Sequence, residues 1–253
     1  MKFKSIYNKA KMKNPSKERK ISENYVIQNI IVTRISPLLA YPLHKIGISA
    51  DTVTNFSFIV IIFASISLMV GHGYVGCSFI IIFGLLDSMD GNLARLNKSK
   101  TLHGQTLDTI GADLFYILIP FSISFYLYDQ NLKYYYFDKE IIIIGFLISS
   151  FLIFNRLFGL RNNILFLTSK TLSKKKINYK RKFTIINLFF LYYENEFIRG
   201  NFFSEPGFIL NFSILIFIDA FKILYFYLFI ILIYIFIKFI KLFIGTIILY
   251  MRN

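Results

Sequence analysis

The chain has 253 residues, of which 55% are hydrophobic and 17% are charged. Ordinary soluble domains carry about a quarter charged residues, so this composition argues against a soluble protein and favours one whose surface faces lipid. The formal net charge of +15 fits nucleic acid or an anionic membrane surface; because the basic clusters flank apolar segments, we expect anionic membrane lipids as partners and no nucleic acid.

The amino-terminal part of the chain is basic first and half apolar afterwards. Residues 1–22 are rich in lysine and are predicted to form a basic cytoplasmic tail. Residues 23–47 contain Arg34, Pro42 and Lys45 among apolar side chains. A bilayer span needs about 17–25 predominantly apolar residues, so this segment is predicted to form a helix that lies in the membrane interface.

Six apolar segments follow, and the fifth of them is short. They predict an all-α integral membrane protein with six transmembrane helices and an N-terminal interfacial helix. The predicted spans cover residues 52–70, 74–96, 106–127, 141–158, 206–218 and 221–242.

The distribution of basic residues orients these spans. Cytoplasmic loops of membrane proteins carry an excess of Lys and Arg. Six spans place the basic tail, the lysine-rich run at 170–182 and the carboxyl terminus on one side of the membrane. We therefore predict that both termini and this run lie in the cytoplasm, and that any active site at these ends of the spans faces the same side.

Four aspartates lie at or within the ends of the second and third spans: Asp87, Asp90, Asp108 and Asp113. A carboxylate at membrane depth is costly unless it is paired or bound to metal. Hard cations such as Mg²⁺ take carboxylate and phosphate oxygens as ligands, and a two-metal cluster that bridges a pyrophosphate would satisfy these charges. The alternative is an intramembrane polar network of an ion-coupled transporter, and the carboxylates alone do not decide between the two.

The spacing around these aspartates resembles the signature of the CDP-alcohol phosphatidyltransferase family. The matching pattern is Asp87-x2-Asp90-Gly91-x2-Ala94-Arg95-x8-Gly104-x3-Asp108. Residues 48–54 also look like the family's segment before its first span. The resemblance implies that residues 23–253 form one membrane domain of this type.

This resemblance implies a transfer reaction. A phosphatidyl or other phospho-alcohol group passes from a CDP-alcohol, such as CDP-diacylglycerol, to the hydroxyl of a small polar or polyol acceptor. The acceptor attacks the β-phosphorus and CMP leaves, in phospholipid or related glycoconjugate synthesis. A homodimer is compatible with this prediction. The alternative is a catalytically weakened or inactive relative that acts as a scaffold or a transporter.

The resemblance also assigns roles to individual residues. It implies that Asp87, Asp90, Asp108 and the family's last aspartate, here Asp113, bind two divalent ions, Mg²⁺ or Mn²⁺. That last aspartate is also the proposed base for the acceptor hydroxyl. The residues that the resemblance assigns to the CDP moiety are Gly91, Ala94, Arg95 and Gly104, helped by Thr54 and Thr101.

The sequence departs from the family pattern at the fourth carboxylate. The family places it four residues after Asp108, where Ala112 stands, and Asp113 follows one position later. In a regular helix residue i+4 lies about 40° from residue i, whereas residue i+5 lies about 140° away. A π-type widening restores the facing, and Gly111 would ease it. We therefore expect a widened turn at residues 109–113 that directs Asp113 toward the other three carboxylates.

Overall fold

All regular structure in the described residues is helical. The computed structural model describes residues 34–99, 101–130, 139–172 and 205–250. The predicted tail at 1–22, the first part of the predicted interfacial helix and most of the basic run at 170–182 lie outside these residues. The helices are α1 (Ser36–Ile46), α2 (Ala50–Met69), α3 (Gly73–Asn97), α4 (Leu102–Asp129), α5 (Glu140–Leu172), α6 (Glu205–Phe217) and α7 (Phe221–Tyr250).

The first helix, α1, is short and packs against α3. Ala40 is buried in one apolar cluster with Leu93 of α3, while Leu38 and Leu39 are exposed. The helix ends at Gly47, whose φ of 83° lies in the left-handed region that glycine adopts without strain. This two-faced pattern suits a helix at the membrane interface, and that location stays a prediction.

Five helices are long and apolar enough to cross a membrane, judged by length and composition. They are α2, α3, α4 and the segments Glu140–Arg161 of α5 and Phe221–Ile247 of α7. Helix α6 has 13 residues, fewer than the roughly 17 that a span needs. The all-α architecture is therefore as predicted, and the sixth span stays a prediction.

Helices α2, α3 and α4 form the centre of the bundle. Ile61 of α2, Ile80 of α3 and Phe115 and Ile119 of α4 are fully buried together in one core cluster. Helix α5 packs on α4, α6 on α3, and α7 on α5. Because this arrangement buries the inner faces, large apolar side chains such as Phe63 stay exposed on the outer faces, as suits contact with lipid.

Helix α5 approaches α4 closely near Pro120, which interrupts the backbone hydrogen bonds inside α4. A Cβ atom on Gly145 of α5 would overlap Ser124 Oγ and lie 2.9 Å from the Pro120 carbonyl oxygen, so the two helices meet where α5 has no side chain. The Ser149 hydroxyl donates to the Ile117 carbonyl oxygen at 3.0 Å. Helix α5 thus supplies a hydrogen bond to the turn of α4 that precedes the proline.

Candidate metal centre

Three carboxylates from two helices converge where α3 ends and α4 begins. Asp87 and Asp90 lie one turn apart on α3, and Asp108 lies in the second turn of α4. One ligand oxygen from each residue lies within 4.8 Å of the other two. A spacing of three residues puts the α3 pair on one helical face, and the approach of α4 adds the third. The structure therefore brings together three of the four aspartates singled out in the sequence.

Asp90 is the most buried of the three, with 7% of its surface exposed. Its Oδ2 atom accepts a hydrogen bond from the Thr54 hydroxyl of α2 at 2.7 Å, and that hydroxyl also lies 3.1 Å from the Ala50 carbonyl oxygen. Thr54 was expected to help bind CDP; in the structure its hydroxyl contacts a carboxylate of the candidate centre. The contact fixes the orientation of the Asp90 carboxylate from α2.

The donor set fits a divalent metal ion. Mg²⁺ and Mn²⁺ prefer oxygen ligands, and Asp87, Asp90 and Asp108 offer two carboxylate oxygens each. Three carboxylates in so small a volume repel one another when ionised, so a bound cation relieves a cost that the protein alone would carry. The number of ions stays a prediction.

Gly91, Ala94 and Arg95 follow Asp90 along α3. A Cβ atom on Gly91 would meet only Arg95 within 4 Å among the described residues, with Nη1 at 3.5 Å. The backbone of α3 is therefore open next to Asp90, which permits close approach of a ligand. Arg95 lies in the last turn of α3, beside the carboxylate group, and its planar guanidinium suits phosphate oxygens.

The start of α4 is fixed by Thr101 and Gly104. The Thr101 hydroxyl accepts a hydrogen bond from the Gly104 amide at 3.0 Å, the usual contact of an N-cap residue. A Cβ atom on Gly104 would lie 3.1 Å from Asp51 Oδ1 and 3.3 Å from Thr101 Oγ1. Thr101 therefore caps the start of α4, the missing side chain of Gly104 lets this turn lie close to Asp51 of α2, and the part of both residues in CDP binding stays a prediction.

The expected widening of α4 at residues 109–113 is wrong. The helix is a regular α-helix through this segment, and Asp113 is not a member of the carboxylate group. Its Oδ1 atom lies 2.8 Å from Nε of Arg156 on α5. The extra residue turns Asp113 by about 100° from the direction of Ala112, and the ion pair with α5 removes the electrostatic cost that motivated the expectation.

Sequence reasoning missed Arg156, although a signal for it was present. The residue is an arginine inside the fourth predicted span, and charges there usually pair or serve a function. In addition to Asp113, its Nη2 atom donates to the Thr109 carbonyl oxygen at 3.2 Å, and its guanidinium lies 5.7 Å from the centre of the Tyr116 ring. Asp108 is close enough to interact with it electrostatically.

A separate cavity of about 510 Å³ lies at the opposite end of the bundle, between the start of α3, the end of α4 and the turn before α7. Asp219 in this turn accepts hydrogen bonds from the Tyr74 hydroxyl, with oxygens at 2.8 and 2.9 Å. The carboxylate group lies away from this cavity, at the end of the bundle where the predicted functional residues meet.

Comparison with known proteins gave one result. A family model described as CDP-alcohol phosphatidyltransferase matches residues 48–251. A search of curated proteins and a search of solved structures each found no match. The matched range includes the converging aspartates, Arg95 and Gly104, and it covers most of the chain.

Proposed function

The chain belongs to the CDP-alcohol phosphatidyltransferase family, and we propose that it transfers a phosphatidyl or another phospho-alcohol group from a CDP-alcohol to a hydroxyl acceptor. The observation that carries this proposal is the convergence of Asp87, Asp90 and Asp108. These carboxylates lie beside an open stretch of α3 backbone and an arginine suited to phosphate, the combination that a nucleoside diphosphate donor requires.

In the proposed reaction the acceptor oxygen forms a bond to the β-phosphorus of the donor. The bond from that phosphorus to the bridging oxygen breaks, CMP leaves with this oxygen, and the hydroxyl proton passes to a base. Asp87, Asp90 and Asp108 would hold the divalent ions, which neutralise charge on the pyrophosphate when bound. Arg95 binds phosphate oxygens, and Gly91 gives the donor access to the α3 backbone.

The ion pair of Asp113 favours a second candidate function, a catalytically weakened or inactive relative that serves as a scaffold. The Asp113 carboxylate is held by the Arg156 guanidinium on α5. Asp113 also lies outside the carboxylate group, so the residue proposed as base is neither grouped with the metal ligands nor unpaired. A protein of this kind would bind the donor and turn it over slowly or not at all.

The protein is an integral membrane protein, because five of its helices can span a bilayer and its family consists of membrane enzymes. We propose CDP-diacylglycerol as donor and a small polar or polyol alcohol as acceptor. We further propose that the site faces the cytoplasm, where the basic segments would contact anionic lipids.

One experiment separates the two candidates. Membranes that contain the protein are given radiolabelled CDP-diacylglycerol with glycerol phosphate, inositol phosphate, serine or a glycan-linked polyol, and CMP release is measured. If the protein is an active transferase, CMP release should depend on one of these acceptors and should be lost in Asp90→Asn. Stabilisation of the purified protein by the donor without release of CMP would indicate the inactive relative. If the donor causes neither CMP release nor stabilisation, both candidate functions are refuted.

A further inference from the structure

A chain of buried hydrogen bonds connects α1 with Arg95. Ser36 at the start of α1 has 0% of its surface exposed and Asn92 of α3 has 1%. The Asn92 amide nitrogen donates to Ser36 Oγ, and Arg95 Nη2 donates to Asn92 Oδ1 at 2.5 Å. Asn92 occupies a position that the family pattern leaves open, so nothing in the sequence singled it out.

The chemistry of the three side chains fixes the direction of this chain. A guanidinium only donates hydrogen bonds, so the Asn92 amide must present its oxygen to Arg95 and its nitrogen to the other side. Ser36 supplies an acceptor on that side. Because Asn92 is buried, its amide cannot replace these two hydrogen bonds with hydrogen bonds to water. One edge of the Arg95 guanidinium is thereby held against a fixed point of the bundle.

We propose that Asn92 is a positioning residue for Arg95 and that Ser36 fixes Asn92, so that α1 forms part of the donor-binding site. The inference rests on the proposed function in one respect, namely that Arg95 contacts the diphosphate of the donor. An arginine that is held in one orientation before binding loses less freedom when it binds phosphate. Asn92 and Ser36 therefore act on donor affinity, and the acceptor and the chemical step depend on them little.

The structure offers a matched control for the docking of α1. His44 Nδ1 lies 2.5 Å from Asn97 Oδ1, and this exposed contact also joins α1 to α3. Asn92 and Arg95 take no part in it. A His44→Ala variant therefore removes a different contact between α1 and α3 and leaves the Ser36–Asn92–Arg95 chain intact.

The test compares Asn92→Leu, Ser36→Ala, Ser36→Thr and His44→Ala in the full-length protein. The KM for CDP-diacylglycerol, the KM for the acceptor and kcat are measured in mixed micelles. We expect donor KM to rise about tenfold in Asn92→Leu, since a hydrogen bond to a charged group is lost, and less in Ser36→Ala. Ser36→Thr retains a hydroxyl and should restore the wild-type value, as His44→Ala should.

A second measurement does not require turnover. Phenylglyoxal modifies arginine, and mass spectrometry gives the extent of modification at Arg95 relative to exposed Arg161 in the same sample. Arg95 should react faster in Asn92→Leu and Ser36→Ala than in the wild type or Ser36→Thr. If the wild-type protein releases no CMP, the proposed function fails, and this labelling alone decides whether Asn92 holds Arg95.

Three results would overturn the inference. The first is unchanged Arg95 labelling in Asn92→Leu. The second is an effect of His44→Ala equal to that of Ser36→Ala, which would show that docking of α1 matters and the hydrogen-bond chain does not. The third is a loss of kcat in Asn92→Leu without a change in donor KM.

Discussion

The Nε atom of Arg156 on α5 lies 2.8 Å from Oδ1 of Asp113 on α4. The pair lies between two helices that can span the membrane, with the side chains 25% and 39% exposed. It gives the fourth aspartate of the region a cationic partner outside the carboxylate group, and its energy can be measured.

Removing Arg156 should destabilise the protein, because Asp113 would lose its partner in an apolar environment. Fully buried pairs cost about 3–5 kcal/mol when one partner is removed; the partial exposure here reduces the expected coupling between the two residues to about 1 kcal/mol. Unfolding in detergent of Arg156→Leu, Asp113→Asn and the double variant gives this coupling. Arg161→Leu on the same helix is the control, and additive effects of the two substitutions would contradict the prediction.

Ala112→Asp should raise activity. It places a carboxylate four residues after Asp108, about 40° from it around α4 and thus toward the metal centre. A well-placed general base contributes about 10²–10⁴-fold, so we expect kcat to rise at least about tenfold if the native position of Asp113 limits proton removal. Ala112→Asn has the same size without the charge and should not gain activity. An equal or lower rate in Ala112→Asp would show that the native offset is no defect.

Turnover should require a divalent ion and all three converging carboxylates. Asp87→Asn, Asp90→Asn and Asp108→Asn each remove a charged ligand and should lower CMP release to background while the protein stays folded in detergent. EDTA should have the same effect on the wild type, with Mg²⁺ or Mn²⁺ restoring the rate. Asp129→Asn, at the far end of α4, is the matched control, and full activity in EDTA would exclude the metal centre.

Thr54→Val should weaken metal binding and leave the fold intact. The substitution keeps the shape of the side chain and removes the hydroxyl that donates to Asp90. Partners of metal ligands typically affect metal affinity by about 10–100-fold, so the Mg²⁺ concentration for half-maximal rate should rise about tenfold. Thr54→Ser should restore it. An unchanged Mg²⁺ dependence with a higher donor KM would instead place Thr54 in direct contact with the donor.

The number of spans can be read from the location of the termini. Six spans place the amino terminus, the 170–182 run and the carboxyl terminus on the cytoplasmic side; an odd number separates the two termini. Single cysteines at Lys9, Lys175 and Arg252 in a Cys77→Ser background report their side by labelling with a membrane-impermeant reagent. Labelling of Lys9 and Arg252 from opposite sides would reduce the count to an odd number.

The helical pattern and all three members of the carboxylate group could be predicted from the sequence, whereas Asp113 was wrongly expected to join them. Apolar runs located α2, α3 and α4 because lipid-facing and core-facing residues are both apolar, which leaves a strong signal. The spacing of Asp87 and Asp90 predicted that they share a helical face, and the position of Asp108 early in the next span predicted that it lies at the same end of the bundle. Helix α5 continues to Leu172, well past the predicted end at 158, because a helix can extend beyond its apolar segment.

Contacts between residues on helices far apart in the sequence could not be predicted from the sequence. Asp113 pairs with Arg156, which lies on a different helix. The geometry of α4 alone suggested a distorted turn that would direct Asp113 toward the other carboxylates. The ion pair instead compensates the charge of Asp113 without any distortion of α4. The orientation of the Asn92 side chain is likewise fixed by a hydrogen bond to Ser36 on another helix. Neither pairing has a local signature, because the register between two helices is set by packing along their whole length.

The hydrogen bond from Ser149 to the Ile117 carbonyl has a consequence for how the protein is made. During synthesis α4 emerges first, with Pro120 weakening its own hydrogen bonds and Asp113 without its cation, so its transfer alone into lipid is costly. Helix α5 supplies the Ser149 hydroxyl, the Arg156 guanidinium and Gly145, whose missing side chain allows the two helices to approach closely. We therefore expect the translocon to release α4 and α5 as a hairpin, which a glycosylation reporter placed after α4, with and without α5, would detect. The contacts that pack α4 against α5 in the mature protein would then also decide when the translocon releases the two helices.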